Sequence, residues 1–97
     1  MGNGDAVAFE PLNPVTDGHL LVLPRQHVAD AFEDPAVTAE VMRAAASIAR
    51  DQYKSVNLIT SVGAPATQTV WHLHVHIVPR HTNDGLRLPW TGQQERA

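Results

Sequence analysis

His72, His74 and His76 alternate through the run Trp71-His72-Leu73-His74-Val75-His76-Ile77-Val78, and the chain's capacity for chemistry concentrates there. In an extended strand, successive side chains point to opposite faces. The three imidazoles are therefore expected to line one face, with alternate Cα atoms about 6.5–7 Å apart, while Leu73, Val75 and Ile77 form core on the other. Histidine is a poor filler for a packed sheet, and alternation inside an apolar run is unlike the consecutive histidines of an expression tag. Two chemistries can use such a row. Histidines two apart on a strand can chelate one metal ion, but zinc wants a third or fourth ligand, and no Asp or Glu lies between Asp51 and Asp84. The other chemistry is nucleophilic catalysis. A neutral imidazole that keeps its proton on one nitrogen offers the lone pair of the other to phosphorus. Neighbouring rings then donate hydrogen bonds to phosphate oxygens or to the departing oxygen. That route needs no metal at the nucleophile.

The elements that must position this row are legible from pattern and punctuation. Ala6 to Phe9 is a short apolar strand. Pro11 to Pro14 and Thr16-Asp17-Gly18 make a turn-rich connection. His19 to Leu23 is a continuous apolar strand stopped by Pro24, which suits burial on both faces. Asp34 is an N-cap and Pro35 a first helical residue. Val37, Val41, Ala44, Ala45, Ile48 and Ala49 then recur at three- and four-residue spacing as one apolar stripe, a helix packed on a sheet with no chemistry of its own. Ser55 to Thr60 is a third strand, Ser61 to Thr67 a loop, and Val70 to Val78 the last strand, ended by Pro79. Asn83-Asp84-Gly85 marks a turn before a tail with Leu86, Leu88 and Trp90. Trp71 projects opposite the row, as core or interface. The predicted fold class is α+β, a mainly antiparallel sheet with one long helix, in a single domain over 1–97 with its core at about 6–80 and a tail from 81.

Composition narrows the function classes. Of 97 residues, 43% are apolar, enough for one real core. There is no cysteine, so disulfides, iron–sulfur clusters and cysteine zinc sites are excluded. The net charge is −3 and Lys54 is the sole lysine, with the arginines scattered. A nucleic-acid partner, which calls for a basic face, is not expected. Neither a membrane span, a signal peptide nor a myristoylation pattern is read, and a cytoplasmic protein is the expectation.

His72-Leu73-His74-Val75-His76-Ile77-Val78 resembles the His-φ-His-φ-His-φ-φ signature of the histidine-triad (HIT) family. Gln68-Thr69-Val70 before it and Pro79-Arg80 after it make it most similar to the branch that includes Fhit-type dinucleoside polyphosphate hydrolases and their bacterial relatives. Ala8-Phe9, Leu12-Asn13-Pro14, Gly18-His19 and Leu21-Val22-Leu23-Pro24 with His27 resemble the family's first half, in the right order. The resemblance implies a HIT-like fold and cleavage of a nucleotidyl phosphoanhydride or phosphoramidate. It makes His74 the nucleophile of a covalent nucleotidyl-histidine, and gives His76 and Gln68 the scissile phosphate and its bridging oxygen. Thr69 adds a hydroxyl to the phosphate, His72 supports the strand behind the nucleophile, and His19 meets and orients the triad. Leu12 and Phe9 wall the base (core packing serves Phe9 equally), and Asn13 and Ser61 fall at substrate-binding positions. A nucleotide is the small-molecule partner, Mg²⁺ can accompany it, and a homodimer is implied. Three positions depart from the pattern. Pro11 stands where an acidic residue usually holds the ribose, Ser61 where an Asn contacts phosphate, and Thr67 where a Gly precedes Gln68. The N-terminal region of longer relatives is expected to be absent. These departures keep open a catalytically weak, nucleotide-binding regulatory module as the alternative. His27 and His81 read as exposed loop histidines, and Arg80 as a surface charge within reach of a phosphate.

Overall fold

The computed structural model describes residues 6–89, so Trp90 lies outside the described residues. Four strands and one long helix follow in the order β1 (Ala6–Phe9), β2 (Leu20–Pro24), α1 (Pro35–Gln52), β3 (Val56–Ile59) and β4 (Val75–Pro79), with a 3₁₀ turn at Ala64–Ala66. The sheet is antiparallel throughout, in the order β1-β2-β4-β3. The α+β class predicted from the sequence is the one observed.

The helix starts where the sequence signals it. Asp34 stays extended, its carboxylate accepts the Ala36 N–H at 3.1 Å, and Pro35 follows at the first helical position, where a missing N–H costs nothing. Val41, Ala44, Ala45, Ile48 and Ala49 are buried, and they pack against Val22, Val75 and Ile77 of the two central strands. Small residues on the helix let it approach the sheet closely. Tyr53 ends it, and the Tyr53 hydroxyl donates to the Gly18 carbonyl at 2.7 Å, tying the helix end to the residue before His19.

Two expectations change. β2 is not buried on both faces: Val22 is fully buried against the helix, but Leu21 and Leu23 are half-buried on the other side, which α1 does not cover. The last strand is also shorter than the span Val70 to Val78. Only Val75–Pro79 joins the ladder, as the central strand between β2 and β3. Residues 68–74 instead bond to the loop after β2: the Leu73 N–H donates to Val28 O at 2.8 Å, and Gln68 Nε2 donates to Ala29 O at 2.8 Å. These residues lie outside the ladder, yet burial still alternates from His72 to Ile77, with Leu73, Val75 and Ile77 buried and the three histidines half-buried. Trp71 is half exposed and is not core.

Candidate active site

The uncovered face of the sheet carries His76, from the central strand, opposite Leu21 on β2 and Ile59 on β3. His19 comes to it from the turn before β2. Gly18 adopts φ +86°, which swings the chain so that the His19 N–H donates to Thr16 O at 3.2 Å and the Val15 N–H donates to His19 Nδ1 at 3.1 Å. A backbone N–H only donates, so His19 Nδ1 is the acceptor and the proton of the neutral ring sits on Nε2. That Nε2 lies 2.9 Å from His76 Nδ1, which therefore accepts. The proton of His76 is left on Nε2.

His74 is fixed in the opposite tautomer. Its Nδ1 lies 2.8 Å from the His72 carbonyl, an obligate acceptor, so the proton is on Nδ1 and Nε2 holds a lone pair. The Thr60 hydroxyl donates to the His74 carbonyl at 2.7 Å, steadying the same residue from β3's end. The rings of His74 and His76 are edge-on with centroids 5.1 Å apart, and His19 is 5.2 Å from His76. One ring with a free lone pair thus stands beside one with a free N–H.

Burial keeps the supporting rings neutral. Desolvation lowers the pKa of His19. It also lowers that of His76 to about 4, helped by the neighbouring His74 and His19. A cavity of about 280 Å³ opens beside this pair, lined by His19, His76, Ser61, Thr67, Asn57 and Arg80 among others, and by the Leu86–Leu88 stretch as its outer wall.

The structure brings His19, His74 and His76 together but not His72, whose ring turns to the loop after β2. Gln68 is buried and its amide is fully occupied: Oε1 accepts the Gly63 N–H at 2.9 Å, and Nε2 donates to Ala29 O and to Val70 O at 3.0 Å. In this conformation it latches the loop and has no N–H left for a phosphate. Thr69 and Asn13 are exposed, and Leu12 is entirely so; Phe9, 47% exposed, is not core. Ser61 does line the cavity. Thr67 holds φ +74°, the left-handed region that a glycine would occupy without strain. Arg80 is not a solvated charge, and it lines the cavity. It grips Asp84 through two nitrogens at 2.7 and 3.0 Å, donates to Asn57 and to the Leu86 carbonyl, and holds the Asp84 carboxyl well below the usual carboxylate range. Sequence reasoning missed Thr60, Tyr53 and His27 as parts of the site's frame. Each acts through one backbone or ring contact that leaves no spacing signal. Among the described residues, no group of three or more His, Asp or Glu is placed to hold one metal ion, and no helix is long and apolar enough to cross a membrane.

Comparison with known proteins places this geometry. The HIT-domain family model matches residues 1–83. An uncharacterised HIT-like protein of Borreliella burgdorferi is 36% identical over 87 residues, 81% of this chain and 63% of that protein. The adenylylsulfatase HINT3 of Arabidopsis thaliana is 33% identical over 87% of this chain and 44% of its own length. A Hit-like protein of Bartonella henselae described as involved in cell-cycle regulation superposes with a TM-score of 0.73 at 31% identity, covering 88% of this chain and 68% of that one. The chain spans less than two thirds of the length of curated relatives it matches.

Proposed function

We infer, for a chain that belongs to the HIT family, that it cleaves a nucleotidyl phosphoanhydride or phosphoramidate through a covalent nucleotidyl-histidine on His74. One observation carries the reading: the His72 carbonyl holds the His74 proton on Nδ1, so Nε2 is a free nucleophile, while His19 sets a donor on the adjoining His76. His74 Nε2 attacks phosphorus and forms an N–P bond. The bond from phosphorus to the leaving group breaks and its electron pair leaves with that group, while the Nε2–H of neutral His76 donates a hydrogen bond to the departing atom; a leaving amine takes its proton from solvent. Water then attacks phosphorus and gives its proton to bulk water. The N–P bond returns its pair to His74 Nε2, and the nucleoside monophosphate departs. The lowered His76 pKa keeps that ring a neutral hydrogen-bond donor through the cycle.

The substrate class is a dinucleoside polyphosphate or a nucleoside phosphoramidate; the relative whose name is adenylylsulfatase is in keeping with an adenylyl group. Mg²⁺ belongs with such a substrate's phosphates and has no part in the attack. The reading includes a homodimer and a cytoplasmic setting. A catalytically weak, nucleotide-binding regulatory module is the second reading, favoured by Pro11 at the usual acidic position and by the occupied amide of Gln68. Quenched mass spectrometry with adenosine phosphoramidate and with a diadenosine polyphosphate separates the two. An adenylyl mass increment on the peptide holding His74, absent from His74→Ala, is the expected result. Saturable nucleotide binding with no adduct and no cleavage would refute the enzyme reading.

A further inference from the structure

The His72 ring contacts the loop after β2, and its contacts connect that surface loop to the nucleophile. His72 Nε2 lies 2.9 Å from the Pro24 carbonyl and must donate to it, which leaves the lone pair on Nδ1. His27 Nδ1 stands 3.0 Å from that lone pair, with ring centroids 5.0 Å apart. Since His72 Nδ1 is an acceptor, His27 Nδ1 carries the donated proton. The ring of His72 is thus clamped from two sides, by Pro24 at the end of β2 and by His27 three residues on. The backbone carbonyl of the same residue is the acceptor that keeps the His74 proton on Nδ1.

We propose that His27 is a positioning residue for His74, acting through His72; the proposal rests on the reading of His74 as nucleophile. The physical need is local. His72 and His74 precede the β4 ladder, so cross-strand pairing does not set the direction of the His72 carbonyl as it would inside a strand. Orientation comes instead from the loop, through the Leu73 N–H to Val28 O and through the clamped ring. Without His27 the exposed Nδ1 lone pair turns to water and the ring is held from one side only. The carbonyl then drifts, and with it the tautomer and aim of His74. A displacement of about 1 Å at a reacting group can cost on the order of a hundredfold in rate, so a partial loosening is expected to cost about tenfold. His27 is exposed, and replacing it does not open the core.

The test compares His27→Ala and His27→Asn with the unaltered protein. Asparagine is chosen because its side-chain amide can present an N–H near the place of His27 Nδ1. Two quantities are read: the single-turnover rate of adenylyl-histidine formation from adenosine phosphoramidate, and the ¹⁵N signals of His74, which report which nitrogen is protonated. His27→Ala is expected to slow adduct formation about tenfold with KM little changed, and to move the His74 proton partly onto Nε2. His27→Asn is expected to recover most of both. The proposal is overturned by an alanine variant with the original rate and His74 signals, even if its melting temperature falls, because His27 would then be a structural contact. It is equally overturned if asparagine is no better than alanine. Failure of the parent reading looks different: the unaltered protein would form no adduct, while the ¹⁵N signals would still show whether His27 governs the His74 tautomer.

Discussion

Gly18→Ala tests the frame of the site at its tightest point. At φ +86° an L-residue sits in the left-handed region, which costs about 1–2 kcal/mol relative to glycine. The added methyl would stand 2.9 Å from the Tyr53 hydroxyl, 3.2 Å from the Tyr53 ring and 3.3 Å from Pro79 Cγ, so Tyr53 must move. Its hydrogen bond to Gly18 O is the contact that movement breaks, and an orphaned carbonyl there adds about 1–3 kcal/mol. Together these give a destabilisation of about 2–5 kcal/mol, against a total of roughly 5–15 kcal/mol for a domain of this kind. At about 4–8 °C per kcal/mol for a chain of this size, the melting temperature should fall by roughly 8–40 °C. Tyr53→Phe alone should cost about 1–2 kcal/mol. The two changes should be less than additive, by about 1 kcal/mol, because removing the hydroxyl also removes the nearest clash. Urea unfolding followed by circular dichroism measures the whole cycle. A Gly18→Ala protein melting within a few degrees of the original, or strict additivity with Tyr53→Phe, would refute this account of the turn that delivers His19.

Three further outcomes are expected. The depressed His76 pKa means that the unfolded chain binds more protons than the folded one between about 4 and 6.5, so stability is lost as pH falls through that window. His76→Gln should flatten this part of a urea-midpoint-against-pH curve, and an unchanged slope would contradict the burial argument. Thr67→Gly relieves left-handed strain of about 1–2 kcal/mol but adds unfolded-state entropy, so a net gain of about 0.5–1 kcal/mol should appear as a raised melting temperature; a fall would show that the threonine is held without strain. Gln68→Ala should cost about 2–4 kcal/mol by orphaning the Gly63 N–H and the Ala29 and Val70 carbonyls. A variant as stable as the original but slower with substrate would restore the sequence-based role at the leaving group.

The helix, the four strands and their order along the chain were legible because each is written in period and punctuation: the Asp34-Pro35 start, the apolar stripe from Val37 to Ala49, and Pro24 and Pro79 as stops. Alternation likewise placed His74 and His76 side by side. It extends to His72 in burial, but it could not show that residues 68–74 bond to the loop after β2 and that the His72 ring meets Pro24 O and His27 there. The role of Arg80 was illegible for a related reason. Its partners Asn57, Asp84 and the Leu86 carbonyl lie 23, 4 and 6 residues away, and what unites them is a place in space. His27 carried a family resemblance but no periodicity, and its ring partner His72 is 45 residues distant.

The grip of Arg80 on the turn at Asn83–Gly85 has an evolutionary consequence. The wall beside His76 is tied through Arg80 to Asp84, to the Leu86 carbonyl and to Asn57 of β3, and its residues follow the last strand, so it can be reshaped while the strands that hold the imidazoles stay as they are. Under the proposed function, substitutions after Pro79 are expected to change which leaving group is admitted while leaving His19, His74 and His76 in place.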